Sequence, residues 1–107
     1  MGRFRLSNSA YRDLDEIWSY IASDNPVAAD RVIQQLHEAI RWLSRFPAVG
    51  HRRRDMGELP LLFWVEGRYE IVYRAFDEFI EVDAVLHGSR DVPAVLRERR
   101  EAGGDEG

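Results

Sequence analysis

The sequence predicts an α+β fold. A helical hairpin packs on a mainly antiparallel sheet in the order β-α-α-β-β-β, and a short C-terminal helix follows. Three observations lead there. Two apolar stripes of helical period are separated only by Asp24-Asn25-Pro26. Three strand-like segments come next, the last two flanking a two-residue turn at Asp77-Glu78. Helices and strands arrive in runs without βαβ alternation, which argues against a doubly wound parallel sheet.

Arg3 to Leu6 alternates basic and apolar residues, the period of a half-buried strand. Ser7 and Ser9 are both good helix N-caps. Leu14, Ile17, Trp18 and Ile21 then form one apolar stripe, predicting a helix over about residues 9–23. The stripe assigns Trp18 to the core or the core edge, with Asp13, Asp15, Glu16 and Ser19 on the wet side. Asn25 is the expected N-cap of the next helix, and Pro26 suits its first position. The second stripe runs through Ala29, Val32, Ile33, Leu36, Ile40 and Leu43 to Phe46, before Pro47 ends the helix. So short a link makes the two helices antiparallel.

Residues 47–60 hold prolines, glycines and the run His51-Arg52-Arg53-Arg54, and read as a loop. Leu61 to Val65 is a strand, Glu66-Gly67 a turn, and Arg68 to Phe76 and Phe79 to His87 two more strands. A two-residue turn at Asp77-Glu78 sets their register. One face then pairs Tyr69 with Leu86, Ile71 with Ala84, Tyr73 with Val82 and Ala75 with Ile80, all apolar or aromatic. The other pairs Arg68 with His87, Glu70 with Val85, Val72 with Asp83 and Arg74 with Glu81, and is mostly polar. The apolar face is expected to meet the helices, since a slip of one residue would drive charge into the core. Asp91-Val92-Pro93 opens the last helix, carrying Val95 and Leu96.

The chain has 107 residues. One domain is expected over residues 1–102, with a disordered tail at 103–107. Hydrophobic residues make up 45% and charged residues 32%, ordinary for a soluble globular protein. The longest apolar run, Leu61 to Val65, is far too short to span a bilayer. The N-terminus lacks the apolar stretch of a signal peptide, so a cytoplasmic location without membrane attachment is expected. There are no cysteines, and His37, His51 and His87 form no metal-ligand spacing. Nothing in the sequence asks for a metal or another cofactor.

Net charge is −4, which argues against a large sequence-independent DNA-binding surface. All 15 basic residues are arginine. Arginine grips carboxylates and phosphates in a bidentate manner but is too basic to serve readily as a general base. Proton chemistry therefore falls to His, Asp, Glu or Tyr.

Three constellations stand out. Arg52, Arg53 and Arg54 could contact an acidic partner or phosphates, or be a solvated loop. Arg68, His87 and Arg90 gather at one end of the sheet, where they could hold a phosphodiester while His87 exchanges a proton, or play structural parts. Asp91 reads first as the N-cap of the last helix. On the second helix Trp42, offset from its stripe, could rim an exposed apolar patch.

The segment LSNSAYRDLDEIWSYIASDNPVAADRVIQQLHEAIRWLSRFPAVG resembles the opening of RelE/ParE-family toxins, with a helix ending in D-N-P and a second ending in F-P-x-x-G. GRYEIVYR, from Gly67 to Arg74, is similar to the family's third strand. VLHGSRDVPAVL, from Val85 to Leu96, resembles its C-terminal H-G-x-R-D signature. The series covers nearly the whole chain in order. The resemblance implies a toxin of a bacterial type II toxin–antitoxin system, with the fold read above. Its nuclease members cleave mRNA on the ribosome; its ParE-like members poison DNA gyrase.

Against the nuclease pattern, Glu70 stands where an arginine is usual, arginines replace the lysines of the basic loop, and Leu96 falls where a catalytic tyrosine would be. Only Arg90 matches. A cleavage site needs its charge stabilisers in place. The resemblance therefore implies a non-enzymatic, ParE-like gyrase poison held by a cognate antitoxin. Arg52, Arg53, Arg54, Arg68, His87 and Arg90 are the target-binding candidates. Two alternatives are a ribosome-dependent nuclease using Arg68, His87 and Arg90, and a non-toxic relic that only binds antitoxin. The apolar arc of the second helix is wider than one packing face needs, so Ala39, Arg41, Trp42 and Arg45 are the antitoxin-binding candidates. A toxin–antitoxin hetero-oligomer is a further implication.

Overall fold

A computed structural model describes residues 2–103. The first strand, β1 (Phe4–Leu6), leads into α1 (Asn8–Ala22). Of the two expected caps, Ser7 is the one used, its hydroxyl accepting from the Ala10 N–H at 3.1 Å. The second helix, α2 (Pro26–Arg45), begins as expected, with Asn25 capping the Ala28 N–H and Pro26 at its start. Three strands follow: β2 (Leu62–Glu66), β3 (Tyr69–Ala75) and β4 (Ile80–His87). The last helix, α3 (Val92–Glu101), is capped by Asp91, which accepts from the Ala94 N–H at 3.2 Å. Of the expected tail, residues 104–107 lie outside the described residues.

The sheet order is β1-β4-β3-β2. Only β1 runs parallel to its neighbour, with Phe4 opposite Ile80. The other pairings are antiparallel. The α1–α2 hairpin lies on one face, burying Ala10, Leu14, Leu36, Ala39, Ile40 and Leu43 against Ile71, Tyr73, Ile80, Val82 and Val85. The longer connection after α2 contains two short 3₁₀ turns, Pro47–Val49 and Arg54–Met56.

The register of β3 on β4 is the expected one near the turn, with Ala75 opposite Ile80, Arg74 opposite Glu81 and Tyr73 opposite Val82. Beyond that it shifts. Val72 faces Ala84, Ile71 faces Val85, and Tyr69 faces His87. Asp83 is the extra residue of a β-bulge, and everything past it on β4 changes face. Ala84 and Leu86, expected under the hairpin, turn to the opposite face. Val85 turns toward the hairpin in their place. The expected Arg68–His87 pair does not form. Arg68 instead sits in the two-residue turn between β2 and β3, preceded by Gly67 at φ 60°, the left-handed geometry that glycine supplies.

The far face is therefore not mostly polar. Phe63, Val72, Ala84 and Leu86 build a second core there with Met56, Leu61, Val92 and Leu96. The loop before β2 and α3 together cover it.

Asp13 also departs from expectation: instead of facing water, it is 4% exposed. Its carboxylate accepts from the Val85 N–H at 3.0 Å, just past the point where β1 stops covering β4. Arg99 of α3 grips both oxygens at 2.7 and 3.0 Å. Of the two placements expected for Trp18, the interior one does not hold: the residue is 40% exposed, and its indole N–H donates to Asp30 at 2.9 Å.

Candidate functional sites

The α1–α2 hairpin diverges from the sheet at the β2–β3 turn and leaves a groove of about 880 Å³. Ile17, Tyr20 and Ile21 of α1 and Val32 and Leu36 of α2 form one side. Tyr69, Val85 and His87 form the other, and Arg68, Ser89 and Arg90 line its end. The structure thus brings Arg68, His87 and Arg90 to one groove, on the hairpin side of the sheet and not on the opposite face as expected. The bulge at Asp83 causes the difference, because it carries His87 across with Val85. The His87 ring meets Tyr69 edge-on at 5.3 Å. Its Nδ1 accepts from the Ser89 N–H at 3.1 Å and lies 2.8 Å from the Ser89 hydroxyl. That leaves Nε2 as the ring nitrogen not engaged by Ser89. Arg68 and Arg90 are exposed.

The basic loop is divided in use. Arg53 turns inward, bonding Asp55 at 3.1 Å and Glu70 at 3.3 Å, with its guanidinium 5.4 Å from the centre of the Phe63 ring. Arg52 donates to the Leu59 carbonyl at 3.4 Å. Arg54 is exposed. Glu70 is thereby neutralised, and Leu96 packs in the second core.

The third surface surrounds Trp42, which is 41% exposed. Its ring lies 5.1 Å from Trp64 and 5.6 Å from Phe46, and Arg45 sits 5.9 Å from the centre of the Phe46 ring. Arg41 and Arg45 are exposed beside it. Ala39 does not belong to this surface; it is 8% exposed and buried in the hairpin core. The sequence stripe placed Ala39 beside Trp42, but its side chain turns toward the sheet. Phe46 and Trp64 were missing from the sequence-based set. Phe46 follows Trp42 by one helical turn, a local signal that the sequence does carry; Trp64 joins only because β2 reaches the end of α2, which no local pattern announces.

The F-P-x-x-G segment is built around Tyr73. Its hydroxyl donates to the Pro47 carbonyl at 2.8 Å and accepts from the Gly50 N–H at 2.9 Å. A Cβ on Gly50 would collide with that hydroxyl. Burial pushes the Tyr73 phenol above its ordinary value of 10.0, partly offset by the Gly50 N–H.

The chain is thus a helical hairpin on a small bulged sheet, with a groove at the open end and an aromatic patch beside the second helix. Residues 4–92 match the family model described as ParE toxin of type II toxin-antitoxin system, parDE. The chain belongs to this ParE toxin family. It is 35% identical over 94 residues to a Sinorhizobium fredii protein named "Putative toxin Y4kP", covering 88% of this chain and 96% of the relative. Its fold is similar to a chromosomal ParDE system from P. aeruginosa, at a TM-score of 0.66 and 20% identity, covering 81% of this chain and 96% of the other. It is also similar to the RelBE2 toxin–antitoxin complex of Mycobacterium tuberculosis, at a TM-score of 0.54 and 26% identity, covering 80% and 96%.

Proposed function

We propose that this ParE-family toxin poisons DNA gyrase in the cytoplasm by binding it, without chemistry of its own, and that a cognate antitoxin holds it inactive. The observation that carries the non-enzymatic reading is the fate of the nuclease positions. Glu70 is tied to Arg53, and Leu96 is buried under α3. A phosphodiester-cleaving site needs free cations and a proton carrier converging on one scissile bond. Arg68, His87 and Arg90 do share the groove end, but the groups that would complete a cleavage site are missing there: Arg53 is spent on carboxylates, and the Leu96 position lies on the other side of the sheet from His87. The exposed groove end, with Arg68, His87 and Arg90, is the candidate gyrase contact.

Antitoxin binding is assigned to the Trp42 surface. Two tryptophans and a phenylalanine form a contiguous, partly exposed patch flanked by arginines, the residue types that dominate interface energetics. A short acidic, apolar antitoxin segment fits it in charge and character.

Inducible expression in a bacterium tests the target. The expected result is growth arrest with DNA breaks and intact mRNA, reversed by co-expressed antitoxin. Codon-specific mRNA cleavage with normal supercoiling would replace this reading with the nuclease one.

A further inference from the structure

A second cleft, of about 550 Å³, opens on the far face of the sheet between the β3–β4 turn and α3. It takes no part in the sites described above. Arg5 of β1, Arg74 of β3 and Arg99 and Arg100 of α3 all line it. In a chain of net charge −4, four guanidinium groups converge on one concavity.

The carboxylates nearby are already engaged. Glu81 accepts from Arg5 at 3.0 Å and from Arg74 at 3.2 Å. Asp83 lies 3.2 Å from Arg74 Nε. Arg99 is held by Asp13 beneath the cleft. Four guanidinium groups thus meet three carboxylates, a surplus of one positive charge. Arg100 carries that surplus: among the described residues it has no ion-pair partner. It projects from the exposed side of α3 beside the opening.

An aromatic platform stands at the same opening. Phe76 lines the cleft and is exposed. Its ring stacks on Phe79 at 4.9 Å and 19°. Arg74 lies 6.0 Å from the Phe76 ring centre, and Arg5 lies 4.9 Å from that of Phe79. Arg5 over Phe79 restrains the pair, while Arg74 stands only at the edge of contact range and Phe76 stays 42% exposed. An arginine with spare donors next to an exposed, preorganised ring is the combination that takes a phosphate and stacks its base.

We propose that this cleft is a nucleotide-phosphate site, in which Arg100, with Arg5 and Arg74 behind it, holds the phosphate and Phe76 stacks the base. The phosphate can come from a free nucleotide or from a nucleic-acid strand. The assignment does not depend on gyrase being the target.

Fluorescence anisotropy of the purified full chain tests it, with a short labelled oligothymidylate as probe and adenosine monophosphate as competitor. Specific binding is expected, weakening as salt rises because phosphate contacts release counterions. Arg100→Glu and Phe76→Ala should each weaken it about tenfold or more, since stacking on one ring is worth at least a good part of that factor. Both side chains are exposed, and circular dichroism checks that both variants are folded. Displacement by the mononucleotide assigns the site to free nucleotides; binding of the oligonucleotide without such displacement assigns it to a strand. Failure of both the oligonucleotide and the mononucleotide to bind would overturn the proposal. So would affinity unchanged by Arg100→Glu, or a glutamate-rich peptide that displaces the probe as well as the mononucleotide does.

Discussion

The Tyr73 hydroxyl joins the sheet to the segment that ends α2, donating to Pro47 and accepting from Gly50. Tyr73→Phe leaves one part-buried carbonyl and one part-buried N–H without this partner, a loss of about 1–3 kcal/mol. Gly50→Ala should cost at least as much, because the added methyl meets the phenol itself; urea titration measures both. The raised Tyr73 pKa also sets a pH dependence. The unfolded phenol ionises near 10.0 while the folded one stays neutral. Stability from this group is therefore complete below pH 10 and is lost as the pH rises beyond it. Tyr73→Phe should lack that part of the alkaline loss. Arg90 behaves differently: its side chain is exposed at the groove end. Arg90→Ala should change stability by no more than about 0.5 kcal/mol, yet reduce toxicity. A variant that kills as well as its parent while melting several degrees earlier would make Arg90 structural.

At the scale of elements, α3 is attached by the bidentate Asp13–Arg99 pair and by Val92 and Leu96 in the second core. Asp13 is the buried member of the pair, so removing its partner strands a buried charge, and Arg99→Met should cost about 3–5 kcal/mol. The Asp13→Ala, Arg99→Met double variant should cost less than the two single changes summed. Additive losses in thermal unfolding would mean that the pair contributes no coupling. The same elements show what the sequence discloses. Both hairpin helices, their caps and the β3–β4 turn were legible, because stripes, capping residues and turn length are local signals. The register was legible from Ala75 to Tyr73 and no further. The bulge at Asp83 is accompanied by Asp13 receiving the Val85 N–H where β1 ends, a contact between residues far apart in sequence. The same nonlocality hid the burial of Asp13, the second core and the true face of His87. Trp18 lay on the stripe, but the hairpin offers its end of α1 no facing layer, so it bonds Asp30 at the surface.

Across the whole molecule, the exposed functional candidates fall on separate surfaces. The groove end with Arg68, His87 and Arg90 lies at one end of the sheet, and the Trp42 patch lies where α2 meets β2. On the proposed assignment, an antitoxin seated at the Trp42 patch would not have to enter the groove end. Trp42 has the size and position of an interface hot spot worth roughly 2 kcal/mol or more. Trp42→Ala should therefore weaken antitoxin affinity at least about thirtyfold. An unchanged titration with the fold intact would place the antitoxin elsewhere. The most direct test of the central claim is a supercoiling assay with purified gyrase, relaxed plasmid and the toxin, run beside a translating extract that reports mRNA integrity. The expected result is loss of supercoiling with accumulation of cleaved plasmid while the mRNA stays whole. Full gyrase activity at saturating toxin, with mRNA cut in the extract, would contradict it.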